Sequence, residues 1–125
     1  MKVSSGSPYE SAIGLSRARR IGPIIAVSGT APLGPDGKTV HLGDVYAQTK
    51  RCLEISLQAI TSAGGTLEHI TRTRVLLTDI ARWQDAAREH GEVFGVHRPA
   101  CTFVEISRFI DPEWLVETEV DAYVP

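Results

Sequence analysis

Two cysteines, Cys52 and Cys101, are all that this 125-residue sequence offers for cross-linking or soft-metal chemistry. Their separation matches no zinc-ligand spacing. The four histidines, His41, His69, His90 and His97, fall into no HExxH or HxH cluster, so neither metal nor cofactor is expected. Basic charge is not in excess. Thirteen Lys and Arg against fifteen Asp and Glu give a net charge of −2, which argues against the counterion displacement that broad nucleic-acid binding requires. Aromatic residues make up only 6%, too few to line a stacking groove for single strands. No apolar run approaches the roughly 20 residues of a membrane span, and residues 1–6 lead into no apolar stretch of a secretory signal. No membrane partner and a cytoplasmic location, with both thiols reduced, are the expectation.

What is present is an ordinary globular composition, 42% hydrophobic and 22% charged, of a length that suits a single domain over 1–125. Glycine and proline divide it. Residues 14–21 and 24–29 read as strands around Gly22-Pro23, the second carrying the β-favouring run Ile24-Ile25-Ala26-Val27. A turn-rich loop follows at Pro32 and Gly34-Pro35-Asp36-Gly37. From 44 to 63 the period is helical, with Asp44 as N-cap and Gly64-Gly65 as the stop. There Val45, Cys52 and Ala59 stand seven apart, and Leu53, Ser56 and Ile60 fill the neighbouring rows of one core-facing stripe. Residues 71–78 return to a strand pattern. A second helix runs from Ile80 to about Phe94 behind Asp79, with Ile80, Trp83, Ala87, His90 and Phe94 on one face and Trp83 read as core. Strands at 100–108 and 115–124 complete the chain.

The order β-β-α-β-α-β-β gives a two-layer α+β domain, a mixed sheet with two helices on one face. On the last strand Val116, Thr118, Val120, Ala122 and Val124 point one way, and Leu115, Glu117, Glu119, Asp121 and Tyr123 the other. Arg72 and Arg74 share a face on their strand, as do Arg17 and Arg19 on theirs. The uncovered face therefore carries acidic and basic rows mixed with Leu115, Phe103 and Tyr123. Cross-strand ion pairs on a solvated face, worth roughly 0.2–1 kcal/mol each, account for that pattern. So does a face shared with other subunits, which the apolar residues favour.

Several stretches, in this order, resemble the RidA/YjgF family, also called the L-PSP endoribonuclease family. They are Ser28-Gly29-Thr30 after an apolar strand, the helix from Gln48-Thr49 to Ala63-Gly64-Gly65, and Arg72-Thr73-Arg74-Val75 with Thr78-Asp79. Arg98-Pro99-Ala100, Val104-Glu105 and Val116-Glu117-Thr118-Glu119 follow. The resemblance implies a chorismate-mutase-like fold and a homotrimer with small-molecule clefts between subunits. It also implies hydrolysis of reactive enamines and imines without a cofactor. In such a cleft Glu117 matches the residue that positions water, and Ser28 and Gly29 match the pair that orients the ligand. The family arginine that grips a substrate carboxylate in a bidentate contact is replaced by Cys101, within Pro99-Ala100-Cys101-Thr102. Leu15 stands where a tyrosine lines the cleft, and Phe103 where a cysteine stands. Losing a charge-assisted contact worth about 1.5–3 kcal/mol costs on the order of a hundredfold in turnover of an anion. A less anionic imine, enamine or related carbonyl compound is therefore expected in place of 2-aminoacrylate.

Each candidate also has a plainer reading. Glu117 serves as general base or as an ion-pair partner of Arg72 or Arg74. Cys101 is a reactive thiol only if a cation lowers its pKa; otherwise it is a small buried residue. His90 is an acid/base group near neutral pH or a core residue. The run Arg17, Arg19, Arg20 fits a solvated or ion-paired strand better than an RNA contact. The expected site comprises Glu117 with Ser28, Gly29, Cys101, Thr102, Phe103, Leu15 and His90. A non-catalytic metabolite-binding or chaperone-like protein is the alternative, and a ribonuclease a third.

Overall fold

A computed structural model describes all of residues 1–125. Six strands form one mixed sheet in the order β1-β2-β3-β6-β4-β5: β1 (Lys2–Val3), β2 (Ala18–Ile21), β3 (Ile24–Thr30), β4 (Ile70–Leu77), β5 (Ala100–Glu105) and β6 (Val116–Tyr123). Helices α2 (Val45–Ser62) and α3 (Trp83–Phe94) pack side by side against one face. The short α1 (Tyr9–Ile13) and β1 are additions to the expected order. β4 and β5 pair in parallel and every other neighbour is antiparallel; the parallel pair is the one joined through a helix, as parallel pairing demands. No helix is long and apolar enough to cross a membrane.

The expected stripe on α2 is the one that is buried. Val45, Cys52, Leu53, Ser56, Ala59 and Ile60 all face the sheet, and the Asp44 side chain accepts from Ala47 N at 3.0 Å. They meet Ile25, Val27, Val120 and Ala122 in one core cluster and Val75, Leu77 and Val116 in a second. On β6, Val116, Thr118, Val120 and Ala122 are buried while Glu117, Glu119 and Asp121 are partly exposed, so the expected alternation holds.

Four expectations fail, each for a local reason. The first long strand begins only at Ala18, because Gly14 closes α1 at φ 85° and residues 15–17 form a loop. The strand at 100–108 stops at Glu105. Trp83 is 44% exposed rather than core. It lies over Phe103 (ring centroids 6.2 Å apart) on the edge strand, where no further strand supports it. Phe103 itself packs against the second core cluster, as does Leu115, so neither belongs to the uncovered face.

The basic run also separates. Arg17 is buried, Arg19 is exposed, and Arg20 donates from Nη1 to Ala63 O at the end of α2 (2.8 Å) and from Nε to Gly22 O (2.9 Å). None of the three is in an ion pair; the pairs present are Arg51–Glu54, His69–Glu68 and Arg74–Asp121.

One buried side chain ties the loops flanking the sheet to α2. Gln48 is fully buried. It donates from Nε2 to Val40 O (3.2 Å) and Glu113 O (3.0 Å), and its Oε1 accepts from Leu115 N (2.9 Å). Gln48→Leu would strand three backbone groups at similar side-chain volume. It should cost about 3 kcal/mol, read as a lower midpoint in urea denaturation.

Candidate functional site

Glu117 lies in the β6 row that points away from the helices, between fully buried Val116 and Thr118. It makes no ion pair, since Arg74 turns to Asp121 (3.3 Å), which removes the plainer reading of Glu117 as a partner of Arg72 or Arg74. Its neighbour is Gly29. A methyl group there would stand 3.1 Å from Glu117 Oε1, so the missing side chain lets the carboxylate approach closer by a few tenths of an ångström. The Gly29 carbonyl in turn accepts from Arg17 Nη2 at 3.0 Å. Burial pushes the Glu117 carboxyl above the usual carboxylate range, with Arg17 opposing and Glu119 adding to the shift.

This approach is possible because β3 is irregular. Val27 opposes Val120 and Thr30 opposes Thr118, so Ser28 and Gly29 together face Glu119 alone, the signature of a β-bulge. Ser28 uses its hydroxyl to donate to Ser16 O (2.7 Å). It therefore holds the loop before β2 and does not reach the cavity.

A cavity of about 180 Å³ opens beside this bulge, lined by Leu15, Arg17, Gly29, Ile55, Trp114 and Glu117 among others. The segment around α1 and the loop at 33–37 close it. Tyr9 stacks edge-on against Trp114 (6.2 Å, 81°), and Trp114 Nε1 donates to Thr39 Oγ1 at 2.9 Å. Of the expected site residues, Leu15, Gly29 and Glu117 line this cavity and Ser28 adjoins it.

The other four lie elsewhere. Cys101 is the register partner of Thr73 and Phe103 of Val75, in the row facing the helices, whereas Glu117 is the partner of Leu76 in the opposite row. Cys101 is exposed, which overturns its reading as a buried residue. Partial burial pushes its thiol up, with the Thr73 hydroxyl opposing. Thr73 Oγ1 and His90 Nε2 share a hydrogen bond of 2.7 Å, and the His90 ring lies 4.5 Å from Phe94 and 6.1 Å from Phe103. Burial lowers the His90 pKa, which favours the neutral ring. Thr102, partnered with Arg74, is exposed in the row facing away from the helices. Within one chain, the 101–103 segment and Glu117 do not meet. No group of three or more His, Cys, Asp or Glu side chains is arranged to hold a metal ion.

Arg17 and Trp114 are site residues that pattern reading misses. Arg17 precedes Ala18 and both are buried, which strict alternation forbids. The one available signal was the proximity of Arg17 to the Ser28-Gly29 bulge through strand pairing.

The sequence profile described as Endoribonuclease L-PSP matches residues 6–124. The chain belongs to the RidA/YjgF family. The uncharacterized protein SCO2049 of Streptomyces coelicolor is 37% identical over 122 residues, covering 98% of this chain and 90% of that one. A RidA/YjgF relative from Acinetobacter baylyi, named 3-aminoacrylate deaminase RutC, is 34% identical over 101 residues, covering 81% and 79%. The crystal structure of Rv2704 from Mycobacterium tuberculosis, described as a member of the YjgF/YER057c/UK114 family, superposes with a TM-score of 0.90. Its identity is 44%, with 99% of this chain and 98% of that one covered. The α+β fold of the RidA/YjgF family is thus the fold of this chain.

A raised carboxyl pKa has a stability consequence. The folded protein holds the Glu117 proton more tightly than the unfolded chain does. The stabilisation this gives is present below the unfolded value and lost as pH rises through the folded one. Gln, which stays neutral, avoids that loss. Glu117→Gln should be more stable than wild type at pH 7, with the gain vanishing below about pH 4, as measured by urea denaturation across the range.

Proposed function

We propose that the protein is a cofactor-free hydrolase of reactive imines or enamines, acting in clefts between the subunits of a homotrimer. The observation that carries the reaction is the Glu117 carboxyl, pushed up by burial and held 3.1 Å from the site of an absent Gly29 side chain. A carboxylate with a raised pKa takes a proton from water more readily than an ordinary one and can return it to a leaving amine. Water adds across the C=N bond to give a carbinolamine. The C–N bond then breaks, releasing ammonia and leaving the carbonyl compound. The relative named 3-aminoacrylate deaminase supports this reaction class.

The trimer is supported by what one chain leaves uncovered. The face opposite the helices bears Ile24 (59% exposed) beside its partner Tyr123 (51%), with the charged rows of β4 and β6 between them and the edge strand β5. Since Cys101, Phe103 and His90 point to the other side of the sheet from Glu117, a cleft containing both groups needs a second copy. In that arrangement Leu15, Ser28, Gly29 and Glu117 come from one subunit, and His90 with 101–103 from its neighbour. Cys101 in place of the family arginine favours a second reading, a non-catalytic metabolite binder.

The test is a panel of imines generated in place by amino-acid oxidases. Wild type should speed keto-acid release above buffer, and Glu117→Ala should lower the rate about a hundredfold or more. Acceleration of no imine rules out the hydrolase. Ligand-induced thermal stabilisation that is indifferent to Glu117→Ala, without turnover, is the mark of the binder. Sedimentation should give three times the mass of the chain.

A further inference from the structure

Three buried polar atoms lack any hydrogen-bond partner: Ser56 Oγ, Thr118 Oγ1 and Arg17 Nε. Neither hydroxyl lines the cavity, but Arg17 does. The Arg17 side chain is unusual in charge as well as in valence. The residue is only 8% exposed, and its single hydrogen bond runs from Nη2 to the neutral Gly29 carbonyl. Glu10 and Glu117 both favour its charged form electrostatically, yet neither forms an ion pair with it. Glu10 accepts through Oε2 from Ser5 N, Ser5 Oγ and Ser7 N, at 3.0, 3.0 and 3.1 Å, which ties that oxygen to the residues before α1. A buried guanidinium remains charged, and carboxylates that act on it only from beyond contact distance offset its desolvation incompletely. Such a cost persists where something else supplies the anion.

The cavity shows what kind of anion fits. Beyond Arg17 and Glu117 its wall is largely apolar, with Ile13, Leu15, Ile55 and Trp114. The other cation in the wall, Arg51, differs in having its charge paired, with Nη1 3.5 Å from the Glu54 carboxylate, while Nε donates to Leu33 O (2.6 Å). One free guanidinium set in an apolar wall matches one carboxylate on an apolar body; a phosphate or a dicarboxylate would bring more charge than the cavity can neutralise.

We propose that Arg17 binds the carboxylate of an apolar monocarboxylate, the body of the ligand lying along Leu15, Ile55 and Trp114. Resting on the hydrolase reading, the substrates are imines that bear one carboxylate on an apolar body, held by Arg17 in place of a residue at position 101. The anchor that position 101 lacks is supplied from the opposite side of the same glycine. Gly29 bonds Arg17 through its carbonyl and meets Glu117 through its bare Cα, so one small molecule spans both groups.

Isothermal titration calorimetry on the purified full chain tests this with isocaproate and its neutral amide. Isocaproate should bind at least tenfold more tightly than the amide, and Arg17→Met should remove that preference. Should the variant fail to fold, the acid–amide comparison on wild type decides alone: equal affinities, or no binding of either, overturn the proposal. An Arg17→Met variant that dissociates, alongside a wild type indifferent to isocaproate, would assign the guanidinium to a carboxylate of a neighbouring copy and likewise overturn it. The two readings fail separately. Isocaproate binding without turnover of the leucine-derived imine removes the hydrolase and keeps the Arg17 site. Turnover with a KM unchanged in Arg17→Met keeps the hydrolase and removes the Arg17 site.

Discussion

Two residues of β3, Ser28 and Gly29, face one residue of β6, Glu119, and the geometry of the candidate site descends from that mismatch. A bulge frees one residue from the ladder and bends the strand. Here the freed pair divides its tasks. Ser28 fixes the loop before β2 through Ser16 O, and Gly29 offers its carbonyl to Arg17 and its bare Cα to Glu117. A side chain at position 29 would sit inside ordinary van der Waals distance of the carboxylate and push it aside by a few tenths of an ångström. The conformational freedom of glycine is not what is used, since Gly29 has no positive φ; its size is.

Two helices can shield only one face of a six-stranded sheet, and the remainder of the molecule's behaviour follows from the exposed face. The rows that alternate outward carry charge in complementary order, Arg72 opposite Asp121 and Arg74 opposite Glu119. Ile24 and Tyr123 add apolar surface beside them. The period of two that buries Val116, Thr118 and Val120 under the helices necessarily turns Glu117 away from them. Through the β4–β5 register it also turns Cys101 and Phe103 toward the helices. The separation of these groups within one chain is thus a consequence of strand geometry and not of an accidental loop placement.

Much of this was legible in the residues. The seven-residue spacing of Val45, Cys52 and Ala59 defined the buried face of α2, and the alternation on β6 put Glu117 outward. The second helix was legible in extent but not in depth. Its buried residues are Ala86, Glu89 and Phe94. Ile80 to Arg82 form a 3-10 turn, which advances faster per residue than an α-helix, so a stripe projected from Ile80 slips in phase. Trp83 has core chemistry without a core position, because burial at a sheet edge depends on what lies beyond the edge. Arg17 was hidden for the opposite reason. A period of two put it beside Arg19 on the surface, and only the loop at 15–17 together with the bulge turns it inward.

The pairing of a nearly buried guanidinium with a carboxyl it does not touch has a chemical logic. Direct contact with Arg17 would hold the Glu117 pKa far down and leave a weak base. With Gly29 between them the attraction is reduced below the desolvation that raises the carboxyl, so Glu117 holds a proton more tightly than an ordinary carboxylate, as the proposed base requires. The same separation leaves Arg17 with unspent donors. A carboxylate arriving at Arg17 would neutralise the one charge that holds the Glu117 pKa down. On the proposal that Arg17 takes a carboxylate, ligand binding and base strength would be coupled in the favourable direction, with the base strongest when the anion is in place.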